Sequence, residues 1–344
     1  MTARPVRVAI LGAGHISDYH IVGLREAGAA VVSVCSRSEA RAAAKAAQHA
    51  IPHHTTDHRA LLAGDDIEAV VIATPDFTHE ALAVAAAEAG KAILLQKPMA
   101  RSAQECLRIL EAVDKAGVLC CVSFLHRYFE EVGELRALMA RDALGPIHSV
   151  RQRNATGGAD WAAWFYEKDK VGGGVVLQLG VHGIDLLRHC FGEIVAVRAA
   201  AALLRHARTL SDGTIVRPDN EDLALATYRF ASGALAVHEM SYTEVAGTDR
   251  FRLEVYGERG TAWLRTERGR LAVWAPAHLG TAEWVAPELP PPRFALAQHH
   301  HFLAMVRGEA PPDGSARDGL ASVLVAEAIY RSAAAGGWEE PRWP

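Results

Sequence analysis

A chain of 344 residues, half hydrophobic and 22% charged, is long enough for two domains with sizeable cores. Its net charge of −4 offers no global positive field for nucleic acid or acidic lipid. The first residues run within a few positions into an apolar stretch, leaving no room for a signal peptide, and no apolar run approaches the roughly 20 residues that span a membrane. Five cysteines, Cys35, Cys106, Cys120, Cys121 and Cys190, show no CxxC spacing and read as buried reduced thiols of a cytoplasmic protein. The histidine clusters (His53-His54, His58 and His299-His300-His301) lack metal-ligand spacing; no metal is expected, and surface or capping roles are the simpler reading.

From the N-terminus the pattern alternates. Short apolar runs at Val6–Leu11, Ala30–Cys35, Ala69–Ala73, Ala92–Leu95 and Val118–Val122 are separated by Ala-rich stretches of helical period. Strands apolar on both faces belong to a parallel sheet covered by helices. Ser102-Ala-Gln-Glu105 is a capping box ahead of Cys106–Ala116, which Gly117 closes; Gly90 closes His79–Ala89 in the same way. These βαβ units predict a doubly wound domain over residues 1–122.

From residue 123 to 344 the pattern predicts a second, α+β domain: one helix over Val175–Cys190, then a mostly antiparallel sheet. Its strands are Ile194–Leu203, Asp222–Phe230, Ala234–Thr243, Arg250–Tyr256, Thr261–Arg265 and Leu271–Trp274, with hairpin turns at Phe230–Ala234 and Gly257–Gly260. A proline-rich loop follows over Pro287–Pro292, and helices at 295–307 and 317–335 close the chain.

Gly12-Ala13-Gly14-His15-Ile16-Ser17 follows a strand and opens a helix, the context a dinucleotide-binding turn requires. The glycines allow a tight turn and close approach of the backbone to a pyrophosphate seated on the helix N-terminus. At the end of the second strand, where an NAD enzyme places a carboxylate for the ribose hydroxyls, this chain has Cys35-Ser36-Arg37-Ser38. Ser36 and Arg37 suit a 2′-phosphate, so NADP is favoured over NAD. Thr74 and Pro75 flank the nicotinamide ribose in this reading, and His79 contacts either the cofactor or only its own helix start. Lys97, next to Pro98 at the end of a strand, is placed beside the reactive ring of a bound nicotinamide, where it contacts the cofactor and can stabilise charge on a substrate oxygen.

In the helix over Val175–Cys190, Gln178, His182 and Asp185 fall at i, i+4 and i+7. Polar groups on one stripe of an apolar helix are either paired in the core or line a cleft.

With these residues in order, the chain resembles the Gfo/Idh/MocA oxidoreductases over essentially its whole length. The resemblance rests on the GxGxxS turn followed by His20, Thr74-Pro75 with Thr78-His79, Gln96-Lys97-Pro98 where the family usually has Glu-Lys-Pro, and Gly172-Gly173-Gly174 leading to Gly180-Val-His182-Gly-Ile-Asp185. It implies a Rossmann domain followed by an open-faced sheet that associates into dimers or tetramers. It also implies hydride transfer at a carbinol carbon of a sugar, cyclitol or related polyol. His182 is then the acid/base and Lys97 holds the alkoxide, with Gln96 beside the cofactor and Asp185 and Gln178 on substrate. Gln178, like Gln96, stands where the family commonly has a carboxylate. A carboxylate at 178 would raise the pKa of His182, which glutamine does not do. Arg127 with Tyr128 borders either the nicotinamide or the domain junction. Trp161 and Trp164 offer sugar-stacking surfaces or ordinary packing. His238, Glu239 and Tyr242 face either the cleft or the oligomer surface. Two other readings use the same turn: a glycosidase or lyase that oxidises its sugar only transiently, and a non-catalytic cofactor-binding sensor or scaffold.

Overall fold

In a computed structural model the described residues are 4–246, 250–294 and 296–343. They form two compact units, one of residues up to Leu125 with Leu296–Leu320, the other of His126 to residue 294 with Ala321 onward.

The first unit alternates strand and helix: β1 Arg7–Leu11, α1 His15–Glu26, β2 Ala30–Cys35, α2 Glu39–Gln48, β3 His53–Thr55, α3 His58–Leu62, β4 Ala69–Ile72, α4 His79–Glu88, β5 Ala92–Gln96, α5 Ala103–Ala116 and β6 Cys120–Ser123. All six strands are parallel, in the order β3-β2-β1-β4-β5-β6. Val8, Ile10, Val70, Val71, Ile93 and Leu95 have no exposed surface, because helices cover both faces. The chain reverses its direction of travel between β1 and β4, and the carboxyl ends of those strands border the crevice where such sheets take ligands. The capping box is present, with Ser102 Oγ accepting from Glu105 N, and Gly117 closes α5 in the left-handed region.

The second unit contains α6 Glu130–Ala140, β7 Ile147–Ala155, α7 Lys168–Val171, α8 Val181–Phe191, β8 Ile194–Ala202, the hairpin β9 Arg208–Thr209 and β10 Ile215–Val216, then β11 Leu223–Phe230, β12 Leu235–Ser241, β13 Phe251–Gly257, β14 Thr261–Thr266, β15 Gly269–Trp274 and the short α9 Pro276–Leu279. Its seven-stranded sheet runs β15-β14-β13-β7-β12-β11-β8, antiparallel except between β7 and β12. One face carries Tyr228, Met240, Phe251 and Leu264, all buried; the other keeps Leu225, Leu235 and Val237 about half exposed.

Two helices follow, α10 Ala297–Val306 and α11 Ser315–Ala335. Helix α10 packs on α1, placing Phe302, Leu303 and Met305 in one core with Ile21, Leu24 and Val31. Residues 296–320 therefore return to the first unit, which a single boundary at 122/123 does not describe. The pattern also misses β3, α6 and β7. Strand β7 lies at the centre of its sheet, yet two of its inward residues are Gln152 and Asn154, buried at 3% and 0% exposure. They are hydrogen-bonded to each other, and Asn154 Oδ1 lies 2.9 Å from His238 Nε2. A strand whose buried face is polar carries no hydrophobic alternation to detect. Among the described residues, no helix is long and apolar enough to cross a membrane.

Candidate active site

Gly12 leaves β1 with φ +117, and its N–H donates to Cys35 O at 2.8 Å. A Cβ at Gly12 would lie 2.4 Å from Ala73 O, so no other residue makes this turn between β1 and β4. Gly14 is the N-cap of α1, supplies no side-chain cap and has open space where its Cβ would be. His15 and Ile16 in the first turn are exposed, and Ser17 turns inward, its Oγ 2.5 Å from Gly14 O. An uncapped helix start with clear space before it fits a pyrophosphate. The serine in place of a third glycine packs without occupying that space.

At the end of β2, Ser36 is half-buried and Arg37 exposed; Ser36 Oγ accepts the Ser38 N–H at 3.4 Å. At the end of β4, Thr74 and Pro75 are half-buried, and the Thr74 and Thr78 hydroxyls meet at 2.7 Å. His79 is 1% exposed, its Nδ1 2.9 Å from Pro98 O and its Nε2 3.0 Å from Thr74 O. Burial pushes its pKa down, with the nearby Asp76 opposing. Of the two roles left open for His79, the one within the protein matches this geometry: the ring ties the end of β4 to the segment after β5. Lys97 stands on that segment, half-buried, and its bond to Pro98 is cis. Gln96 before it is buried, with its Oε1 accepting the Lys97 N–H at 3.1 Å.

In the second unit the stretch expected as one helix is two. A π turn over Val176–Gly180 holds Gln178, and α8 then carries His182 and Asp185. The extra residue in such a turn breaks the i, i+4 phase, and π turns concentrate at functional sites. Glu221 anchors its start: the carboxylate accepts from Gly174 N at 2.9 Å, Val176 N at 3.1 Å and the Tyr330 hydroxyl at 2.9 Å. Burial raises the Glu221 pKa while those donors hold it down. Gln178 is buried, with Nε2 3.5 Å from Val171 O. His182 is 4% exposed and stacks on His126, ring centres 4.4 Å apart and planes 20° apart. His126 rests in turn on Phe129 and Phe251. The sequence reading missed His126; its only mark is a histidine within an aromatic run, Leu125 to Phe129, just after a strand.

Asp185, expected on substrate, and Arg127, expected at the nicotinamide or the domain junction, are paired with each other. Arg127 donates from Nε to Asp185 Oδ2 at 2.8 Å and from its terminal nitrogen to Oδ1, and the two side chains are 7% and 0% exposed. A bidentate fork fixes the geometry of both side chains. Trp164 is half-buried with its edge toward Phe165, and Trp161 is exposed. Their loop is held by Arg208, which donates to Gly157 O and Tyr242 O and pairs with the buried Asp222. His238 points inward, between Tyr228 Oη and Asn154 Oδ1, and not to an oligomer surface; Tyr242 is likewise buried, and Glu239 is half-buried. His299, expected at the surface, is completely buried beside His20.

Comparison with known proteins agrees with this layout. Residues 6–124 match the oxidoreductase family with the NAD-binding Rossmann fold, and residues 132–263 match the GFO/IDH/MocA C-terminal domain. Inositol 2-dehydrogenase 2 of Saccharopolyspora erythraea is 30% identical, over 96% of this chain and 94% of its own. Levoglucosan dehydrogenase of Pseudarthrobacter phenanthrenivorans is 28% identical over 90% and 89%. Among solved structures, levoglucosan dehydrogenase in complex with NADH has the same fold, with a TM-score of 0.90 at 24% identity, covering 99% of this chain and all of that one. Aldose-aldose oxidoreductase from Caulobacter crescentus, complexed with glycerol, gives 0.85 at 26% identity, over 98% and 100%. Matched in both halves and across nearly its full length, the chain belongs to the Gfo/Idh/MocA family of oxidoreductases, whose named relatives here are dehydrogenases and reductases acting on CH–OH groups.

Proposed function

We propose that the protein is an NADP-preferring dehydrogenase or reductase of a sugar, cyclitol or related polyol. The observation that carries this reading is the first unit's pairing of an open dinucleotide turn with a lysine on a backbone tied down on both sides. Gly12, Gly14, His15, Ile16, Thr74 and Pro75 hold the cofactor, with Ser36 and Arg37 on its 2′-phosphate. When bound, the nicotinamide supplies the hydride acceptor or donor. Lys97 Nζ holds the negative charge that develops on the substrate oxygen. A ring nitrogen of His182 takes the hydroxyl proton in oxidation and returns it in reduction. The relatives' substrates, inositol and levoglucosan by name, set the chemical class. The half-exposed apolar residues on the outer sheet face, Leu225, Leu235 and Val237, support a homodimer or homotetramer formed sheet to sheet.

The test is the absorbance of reduced nicotinamide with NADP⁺ or NAD⁺ against aldoses, anhydrosugars and cyclitols. Turnover with one polyol, higher kcat/KM for NADP⁺, and an Arg37→Ala loss of about tenfold or more confined to NADP⁺ is the expected result. Lys97→Ala is expected to abolish turnover and leave cofactor affinity unchanged. A preference for NAD⁺ would overturn the Ser36 and Arg37 assignment. Cofactor binding with no net reduction across the panel would move the reading to the transient-oxidation glycosidase or the sensor.

A further inference from the structure

The main chain of Lys97 is the end of a line of buried side chains. Lys97 N–H donates to Gln96 Oε1 at 3.1 Å; Gln96 Nε2 lies 2.8 Å from His20 Nε2; His20 Nδ1 lies 3.0 Å from His299 Nε2; His299 Nδ1 lies 3.3 Å from Leu296 O. Both ends have a fixed sense, since a peptide N–H only donates and a carbonyl only accepts. Turning the Gln96 amide over would set its NH₂ against the Lys97 N–H, donor against donor. One assignment gives every contact a single proton. Gln96 Nε2 donates to His20 Nε2, His20 Nδ1–H donates to His299 Nε2, and His299 Nδ1–H donates to Leu296 O. Both rings are then neutral and carry their proton on Nδ1.

Other observations fit a neutral pair. His20 and His299 have no exposed surface. Burial drives the His20 pKa well down and that of His299 to about 4, and a charge on His299 would lower His20 further. The place for His299 is built into α1, because a Cβ on Gly23 would lie 2.2 Å from His299 Nδ1. Tyr19 packs steeply inclined to both rings, at 65° and 61°, and its hydroxyl accepts from Gln298 Nε2 at 2.6 Å. Tyr19 on α1, His300 on α10 and Lys97 after β5 are the titratable neighbours of the line. Burial raises the Tyr19 pKa, so it stays neutral, while charge on His300 opposes charge on His299.

We propose that Gln96, His20 and His299 are positioning residues forming a neutral, one-directional hydrogen-bond relay that fixes the backbone of Lys97, and that the amide at 96 sets the direction of that relay. Its catalytic consequence rests on the role of Lys97 given above; its proton arrangement does not. A carboxylate at 96 has no proton to give. Lys97 N–H still donates to one oxygen, but His20 Nε2 must now donate to the other. His20 then either holds both ring protons itself or accepts at Nδ1 from His299 Nε2–H, whose Nδ1–H still faces Leu296 O. In each case the buried pair takes up one proton, and the new carboxylate raises the pKa of the ring that holds it.

The experiment is nitrogen-15 NMR of histidine-labelled full-length protein, wild type and Gln96→Glu, across pH 5.5 to 8.5. In wild type His20 and His299 are expected as neutral Nδ1–H tautomers that do not titrate. In Gln96→Glu one of the two is expected as an imidazolium at pH 7. On the reaction found for the wild type, kcat of the variant is expected to fall roughly ten- to a hundredfold. It should fall further as rising pH removes the imidazolium proton, an ionisation absent from wild type. An Nε2–H tautomer or an imidazolium in wild type would sink the relay without needing any variant to fold. Neutral rings in a folded Gln96→Glu would sink it equally. Turnover surviving in Lys97→Ala would instead refute the role of the lysine and leave the relay standing.

Discussion

Arg127 and Asp185 are charged groups whose removal the protein should feel strongly. The two side chains are almost wholly buried, and each meets the other through two hydrogen bonds. Removing one partner leaves a buried charge uncompensated, which costs about 3–5 kcal/mol. Arg127→Ala should therefore lower the unfolding free energy in a urea titration by that order, and Asp185→Ala by a similar amount. The double variant should lose less than the sum of the two. If Asp185 instead held a substrate hydroxyl, Asp185→Asn would raise KM with little change in stability. The sequence placed Asp185 on the helix of His182 and left Arg127 between the nicotinamide and the domain junction. It does not distinguish a carboxylate aimed at a ligand from one aimed at an arginine 58 positions away.

At the scale of elements, the π turn before α8 depends on a single carboxylate. Glu221 accepts the backbone N–H groups of Gly174 and Val176 and the Tyr330 hydroxyl. Glu221→Ala leaves buried donors unpaired, at about 1–3 kcal/mol, and loosens the turn that leads into His182. The expected outcome is a lower midpoint in thermal unfolding together with reduced kcat, with Glu221→Gln intermediate because it can still accept. Legibility divides along the same physical lines. Strands β1, β2, β4 and β5 were visible because both their faces are apolar, and α5 because its capping box and closing glycine are local. Strand β7 was invisible because its buried face holds Gln152 and Asn154. The π turn was invisible because one inserted residue changes phase without changing composition. In the first unit, the glycine turn and the strand ending at Gln96, just before Lys97, were readable from order and spacing. The contact of His20 with His299 joins residues 279 positions apart, and nothing local marks which histidine of a triplet is buried.

At the scale of the whole molecule, the second sheet keeps one face uncovered in the single chain. Leu225 on β11 is 53% exposed, and Leu235 and Val237 on β12 are 47% and 49% exposed. Burying each such side chain in a homo-oligomer would contribute about 1.5–3 kcal/mol. Val237→Asp should shift the mass measured by light scattering from a multiple of the chain to a single chain. A wild type that already runs as a monomer at micromolar concentration would refute sheet-to-sheet assembly.

The return of residues 296–320 also sets an order of events for the growing chain. The first unit begins with β1 but lacks Phe302, Leu303 and Met305 of its own core until the ribosome has passed the whole intervening stretch from His126 to residue 294. The apolar side of α1, with Ile21 and Leu24, must wait through the whole intervening unit for its cover. Domains ordinarily fold N-terminal first on the ribosome; here the dinucleotide half emerges first and is completed late. The insertion makes nascent protein unable to close the core of its first unit before the second has been synthesised, so a chain stopped short of residue 296 carries that core unfinished.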